Sequence, residues 1–215
     1  PGGGGGGGPR VGGRFRPSPT RHSVPSMGYA VLEDDRPGSF DVAAATALGV
    51  TPGPDFGVLQ RGGTITTAAG VTVRPEQVMG EARLGRRVLV SGDTEPCGAT
   101  LDLAEGASLL IHEATFLDED RDRARETRHS TAREVAVLAR EADVDLLVLT
   151  HLSSRCAPGA VRDEARAVFA RTVIGRDFDR IEVPFPERGE PILTRAGRPG
   201  ERNEPSEGRG TVADD

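Results

Sequence analysis

Three short apolar runs, each the length of a strand and each closed by polar residues, limit the fold of this chain more than any other feature. They are Arg87 to Ser91, Ser108 to Glu113 and Leu146 to Thr150. Runs this short and this apolar, bounded by turn signals, read as buried strands. Between and after them lie segments with helical patterning: Thr100 to Glu105, Asp118 to Glu126, Ser130 to Ala142 and Val161 to Phe169. Ser130 is placed to cap the third of these, whose Val135, Leu138 and Ala139 share one face. Strand–helix–strand alternation predicts an α/β (or α+β) chain with a layered core. With only 4% aromatic residues, that core has to be built from Val, Leu, Ile and Ala.

The rest of the chain divides around this unit. Residues 1–19 are Gly, Pro and Arg with little apolar content and read as a disordered leader, as do residues 191–215 at the other end. The folded part is expected over 20–190. Met27 to Leu32 reads as a strand and Asp41 to Leu48 as a helix stopping at Gly49. Thr51-Pro52-Gly53-Pro54 then forces a turn-rich excursion, and Ile65 to Val73 carries a hairpin pattern with Ala69-Gly70 at its tip. Short strands at Thr172 to Gly175 and Arg180 to Val183 complete the reading.

A net charge of -6 provides no global basic field for nucleic acid, and all 27 basic residues are arginine. Cys97 and Cys156 lack metal-type spacing and read as reduced thiols, so the compartment expected is the cytoplasm. No apolar run approaches the ~20 residues of a membrane span, and no secretory apolar segment is present.

The chemistry lies at the strand ends. Asp93, His112 and His151 each close an apolar run, and side chains there emerge at the rim of a sheet, where open α/β sheets place their sites. Asp supplies a hard oxygen able to bridge two cations, and neutral imidazole is the commonest zinc ligand. One such residue alone reads as a strand-end polar group; three together read as a metal-dependent hydrolase.

Seven segments carry a resemblance to a known family. They are His22-Ser23-Val24-Pro25-Ser26-Met27-Gly28-Tyr29, Gly49-Val50-Thr51-Pro52-Gly53-Pro54, Ser91-Gly92-Asp93-Thr94-Glu95-Pro96-Cys97, His112-Glu113-Ala114-Thr115-Phe116, His129-Ser130-Thr131-Ala132, Thr150-His151-Leu152-Ser153-Ser154-Arg155 and Ile181-Glu182-Val183-Pro184-Phe185-Pro186. In this order the chain resembles ribonuclease Z, the transfer-RNA 3′-processing endonuclease of the metallo-β-lactamase fold, from Arg21 to Glu187. The resemblance implies part of an αββα sandwich with a protruding, tRNA-gripping arm at 33–63. It implies zinc as cofactor, two ions in the complete site, with His22, Asp93 and His151 as ligands and Asp93 bridging. It casts Glu113 and His129 as the pair that supports proton transfer to the leaving oxygen. Ser130, Thr131, Arg155, Gly53 and Pro54 are implied as substrate contacts, and His112 as a structural residue. The partners implied are precursor tRNA and a second subunit in a homodimer.

Two features depart from that pattern. The arm is acidic, with Glu33, Asp34, Asp35, Asp41 and Asp55 against Arg36 and Arg61, whereas phosphate binding favours clustered cations. The family's His-x-His-x-Asp-His segment has no counterpart upstream of His22, so the chain reads as the C-terminal half to two-thirds of such an enzyme, with apolar strands short of partners. Three functions follow as alternatives: a zinc-dependent endoribonuclease that removes 3′ trailers from precursor tRNA, an inactive remnant or RNA-binding module of that family, or another phosphodiesterase of the same fold.

Overall fold

The computed structural model describes residues 12–196. The described residues open on a strand where the sequence predicts a leader: β1 (Gly13–Thr20) pairs antiparallel with β2 (Ser26–Glu33) along its whole length. Pro17 and Pro19 are tolerated because β1 is the sheet edge, where a missing N–H interrupts no ladder. Phe15 stacks on Tyr29 with ring centroids 5.2 Å apart, a cross-strand contact that the proline-rich composition conceals. The leader expected over 1–19 is therefore corrected from Gly13 onward, and its first residues lie outside those described.

After β2 the chain leaves the sheet. Asp41 caps α1 (Val42–Ala47), its carboxylate accepting from the Ala44 N–H at 2.8 Å. Pro54 occupies the first position of α2 (Pro54–Gln60), which the turn-rich reading of this stretch misses. β3 (Ile65–Thr66) and β4 (Thr72–Val73) form the expected hairpin. Ala45, Val50, Leu59, Val73 and Val78 make a small core of their own, with Phe40 and Phe56 packed against it. Because Val73 and Val78 belong to that core, the excursion extends past Gly63 to a neck where the Arg36 and Arg83 backbones exchange two 2.8 Å hydrogen bonds. The Arg36 guanidinium anchors the neck: it donates twice to Glu187 and lies 3.4 Å over the Phe185 ring.

β5 (Arg87–Val90), α3 (Gly98–Ala104), β6 (Leu109–Glu113), α4 (Arg121–Thr127), α5 (Ala132–Glu141), β7 (Leu147–Thr150), α6 (Pro158–Arg166) and β8 (Thr172–Ile174) supply the predicted alternation. The sheet order is β1-β2-β5-β6-β7-β8, antiparallel up to β5 and parallel from there on. One face, through Ala30, Leu89, Leu110, Leu147 and Leu149, packs on Val135, Ala139, Val161 and Ala165 of the helices. The other carries Leu109, Leu146 and Val148, with Ile181 and Val183 against them. Ile181 lies in β9 (Arg180–Glu182), which pairs with β10 (Ile192–Thr194), so the tail expected from 191 is corrected as far as Ala196 and its remainder lies outside the described residues. Toward β1 and β2 that second face is open, leaving Tyr29, Val31 and Val90 exposed. The α/β layered class is what the chain adopts.

Candidate active site

Parallel strands place their C-terminal ends on one rim, and β5, β6 and β7 deliver Asp93, Glu113 and His151 there. β2 runs antiparallel to β5, so the β1–β2 turn brings His22 to the same rim. His129 arrives from the link between α4 and α5. Local backbone choices fix these positions. Gly92 turns at φ 64°, and a Cβ there would meet the Met27 carbonyl oxygen at 2.9 Å. The Ser26 hydroxyl donates to the Asp93 carbonyl at 2.8 Å, and the Arg21 N–H donates to the Thr94 hydroxyl at 3.0 Å, tying the two loops together. His151 itself has φ 54°, a left-handed conformation uncommon for a residue with a side chain.

Glu113 is the centre of the arrangement and is 2% exposed. Its Oε1 accepts from the Thr94 N–H at 2.9 Å and from His129 Nδ1 at 2.6 Å. Its Oε2 accepts from the Thr115 N–H at 3.1 Å, the Thr115 hydroxyl at 2.7 Å and the Ser130 N–H at 3.2 Å. With Nδ1 committed to a carboxylate, His129 keeps Nε2 for exchange with a substrate. The His129 ring lies between two others, 4.7 Å from His22 and 5.4 Å from His151 by centroid.

His22 is held by its backbone neighbour across the site. Its Nδ1 lies 3.0 Å from the Arg128 carbonyl oxygen, and the Arg128 guanidinium donates to the His22 carbonyl at 3.2 Å. Arg128 ends α4 at φ 56°. Neither Arg128 nor the Thr115 hydroxyl is singled out by sequence reasoning. Arg128 meets His22 through its own carbonyl and through a guanidinium that reaches a main-chain carbonyl, contacts that no side-chain pattern reports, while Thr115 is visible only as part of the segment that begins at His112.

The remaining predicted residues divide. Asp93 Oδ2 and His151 Nε2 face each other at 3.8 Å, and both are accessible. Ser130 and Thr131 are fully buried, and their hydroxyls are engaged within the protein. Ser130 donates to the Thr94 carbonyl at 2.7 Å. Thr131, not Ser130, is the cap of α5, accepting from the Glu134 N–H at 3.2 Å while Glu134 reaches back. Arg155 is exposed beside the rim loop after β7, whereas Gly53 and Pro54 are exposed on the excursion, away from the rim. His112 points into the helix-side core, where its Nδ1 donates to the Glu113 carbonyl at 2.7 Å and Nε2 finds no partner. Burial holds its pKa below the usual histidine value.

A zinc site takes three protein ligands or more. Among the described residues no group of three or more His, Cys, Asp or Glu side chains is arranged to hold a metal ion. Asp93 and His151 form a facing pair, and His22, its Nδ1 already engaged, has only Nε2 to offer. The described residues thus do not fit a complete zinc site.

No protein-family model matches the chain. Similar proteins are nonetheless found. The chain is 48% identical over 180 residues to a ribonuclease Z of Myxococcus xanthus, covering 82% of this chain and 59% of that protein. It is 48% identical over 168 residues to a ribonuclease Z of Methanosarcina acetivorans, covering 77% of this chain and 55% of that protein. The chain thus spans little more than half the length of these relatives. Among solved structures, human tRNase Z, short form, aligns with a TM-score of 0.48 and 22% identity over 82% of this chain and 44% of that one. A metallo-beta-lactamase fold protein of Bacillus subtilis aligns with a TM-score of 0.48 and 18% identity, over 75% and 46% respectively.

Proposed function

Because the matched region of this chain belongs to the ribonuclease Z family, we propose that it serves hydrolysis of a phosphodiester in precursor tRNA, releasing the 3′ trailer. The observation that carries this reading is the Glu113–His129 dyad: a buried, fully engaged carboxylate holding one imidazole nitrogen and leaving the other without a hydrogen-bond partner among the described residues at the rim. Cleavage on the 3′ side of a nucleotide leaves a ribose 3′-oxygen that needs a proton as it departs. His129 supplies that proton from Nε2, and Glu113, by accepting from Nδ1–H, fixes the orientation of the ring. Thr115 and the Thr94 and Ser130 amides hold Glu113 in place, so the dyad enters the reaction already oriented.

Zinc belongs to the same reading, with His22, Asp93 and His151 as the donors this chain brings. They fall short of a complete site, so the steps assigned here rest on the chain's own proton chemistry. The homodimer and a cytoplasmic setting are also parts of this proposal. No helix among the described residues is long and apolar enough to cross a membrane.

A second reading has its own support. The absence of a three-donor metal group among the described residues favours an RNA-binding module without cleavage. A single assay separates the two: the purified, zinc-supplied chain is incubated with 3′-extended precursor tRNA, with and without chelator. The nuclease reading expects trailer release that chelation abolishes and that His129→Ala slows by about 100-fold or more. Binding of the RNA with no release at any zinc concentration would establish the module instead.

A further inference from the structure

Phe178 is 89% exposed, the most exposed large apolar side chain among the described residues. It sits at φ 68°, a backbone region that bulky side chains seldom occupy. A surface loop with no task for this ring could relax by changing the residue or the turn. Here the turn is fixed from below. Asp179, its side chain 5% exposed, accepts from the Arg176 N–H at 2.9 Å and from the Arg195 guanidinium at 2.6 Å through Oδ2. The Asp179 N–H closes back on the Arg176 carbonyl at 3.1 Å, and Arg195 also donates to the Ile174 carbonyl at 2.8 Å. The outcome is an aromatic ring presented to solvent on a braced turn.

The turn's place in the fold gives the ring a meaning. It leaves the C-terminal end of β8, and the Gly175 N–H bonds the Leu149 carbonyl at 2.9 Å, so the β7–β8 pairing ends where β7 gives way to His151. Phe178 therefore rises from the same rim as His151, Asp93 and Glu113. The exposed Arg176 and Arg180 flank it, neither in an ion pair among the described residues, and Asp177 is the single exposed acid between them. An exposed ring bordered by unpaired guanidinium groups is the combination that binds single-stranded nucleic acid, with bases stacking on the ring and phosphates meeting the cations.

The geometry points to Phe178 as a stacking platform for an unpaired base of the RNA beside the scissile bond, with Arg176 and Arg180 as its phosphate contacts. This rests on the reading that the rim acts on RNA. The chain contains no tryptophan, so Phe178→Trp installs a unique reporter at the platform.

The test measures binding of a short single-stranded oligoadenylate and of a blunt RNA duplex by anisotropy, for the unaltered chain, Phe178→Ala, Phe178→Leu and Phe178→Trp. Stacking predicts that Ala and Leu each weaken oligoadenylate binding by about tenfold or more. Phe178→Trp should retain affinity, its emission quenched by the oligoadenylate, and the duplex affinities should stay level. If Phe178→Leu binds like the unaltered chain, general apolar contact replaces stacking and the proposal fails. Equal affinities throughout, with Phe178→Ala altering the sedimentation coefficient, would assign the ring to a protein contact. Should the unaltered chain bind neither RNA, the RNA reading of the rim falls and takes the platform with it. RNA binding that is indifferent to Phe178 overturns the platform alone.

Discussion

Glu113 and His112 are neighbours on β6, so their side chains leave the strand toward opposite sides, and both are fully buried. Glu113 satisfies its carboxylate with five donors, whereas His112 satisfies one ring nitrogen and leaves the other without a partner. A charged imidazolium would need a second acceptor, for Nε2–H, that this core lacks, and burial accordingly holds His112 neutral. The sign of its effect on stability follows. In the unfolded chain the ring titrates near 6.5; in the folded chain it titrates lower. Below about pH 6.5 the unfolded state therefore takes up a proton that the native state refuses, and stability falls as pH falls, by up to ~1.4 kcal/mol per pH unit from this group. Glu33, whose pKa the Arg86 guanidinium lowers, loses its contribution as pH falls from about 4.5 through its lowered value, below this window. Urea midpoints at pH 7.5 and 5.5 test the assignment: His112→Asn, which keeps a donor for the Glu113 carbonyl, should show a shallower acid loss than the unaltered chain. Equal slopes would mean that other groups carry the acid sensitivity.

At the scale of the elements, the cap of α5 shows how the site and the fold share residues. Ser130 and Thr131 both look like cap residues in sequence, and only the backbone decides between them. Ser130 spends its N–H on Glu113 and its hydroxyl on Thr94, leaving Thr131 to close the capping box with Glu134. Thr131→Ala removes that box and should cost about 1–2 kcal/mol by chemical denaturation. It should also loosen Ser130 and with it one donor to Glu113. A loss within measurement error would show that burial of this turn, rather than its cap, holds α5 in place. The same logic explains what the sequence reveals and what it hides. Apolar runs of strand length report β5, β6 and β7 because burial is written in side chains, and the residues that end them report the rim. β1 is hidden because its pairing uses the backbone, and its exposed Arg, Pro and Phe follow no buried alternation. α2 is hidden by the Gly and Pro that begin it, and the far half of the excursion by distance, since Val73 and Val78 join a core started about thirty residues earlier. Arg128 is hidden because both of its contacts with His22 run through main-chain carbonyls, its own and that of His22.

Across the whole molecule, the three donors expected to hold zinc come from parts distant in sequence: His22 from the β1–β2 turn, Asp93 from the end of β5 and His151 from the end of β7. A cation held by all three would join the antiparallel and parallel halves of the sheet at the rim, so its binding would stabilise the native fold by mass action, with about 2.7 kcal/mol gained at a hundredfold excess over Kd. The gain is limited by the donor count, because these three residues serve one ion at most, and His22 has to present Nε2 while Arg128 keeps Nδ1. Zinc titration followed by metal analysis is therefore expected to give no more than one ion per chain, and where an ion binds, a rise in Tm that chelator reverses and that His151→Ala abolishes. Asp93→Asn should weaken the same response, since an amide oxygen is a poorer cation ligand than a carboxylate. Two tightly held ions per chain would require donors beyond His22, Asp93 and His151, and would place the second metal among residues that the present geometry does not gather. A Tm indifferent to zinc would leave the Glu113–His129 dyad standing without a metal partner on this chain, and would shift the balance toward the RNA-binding reading.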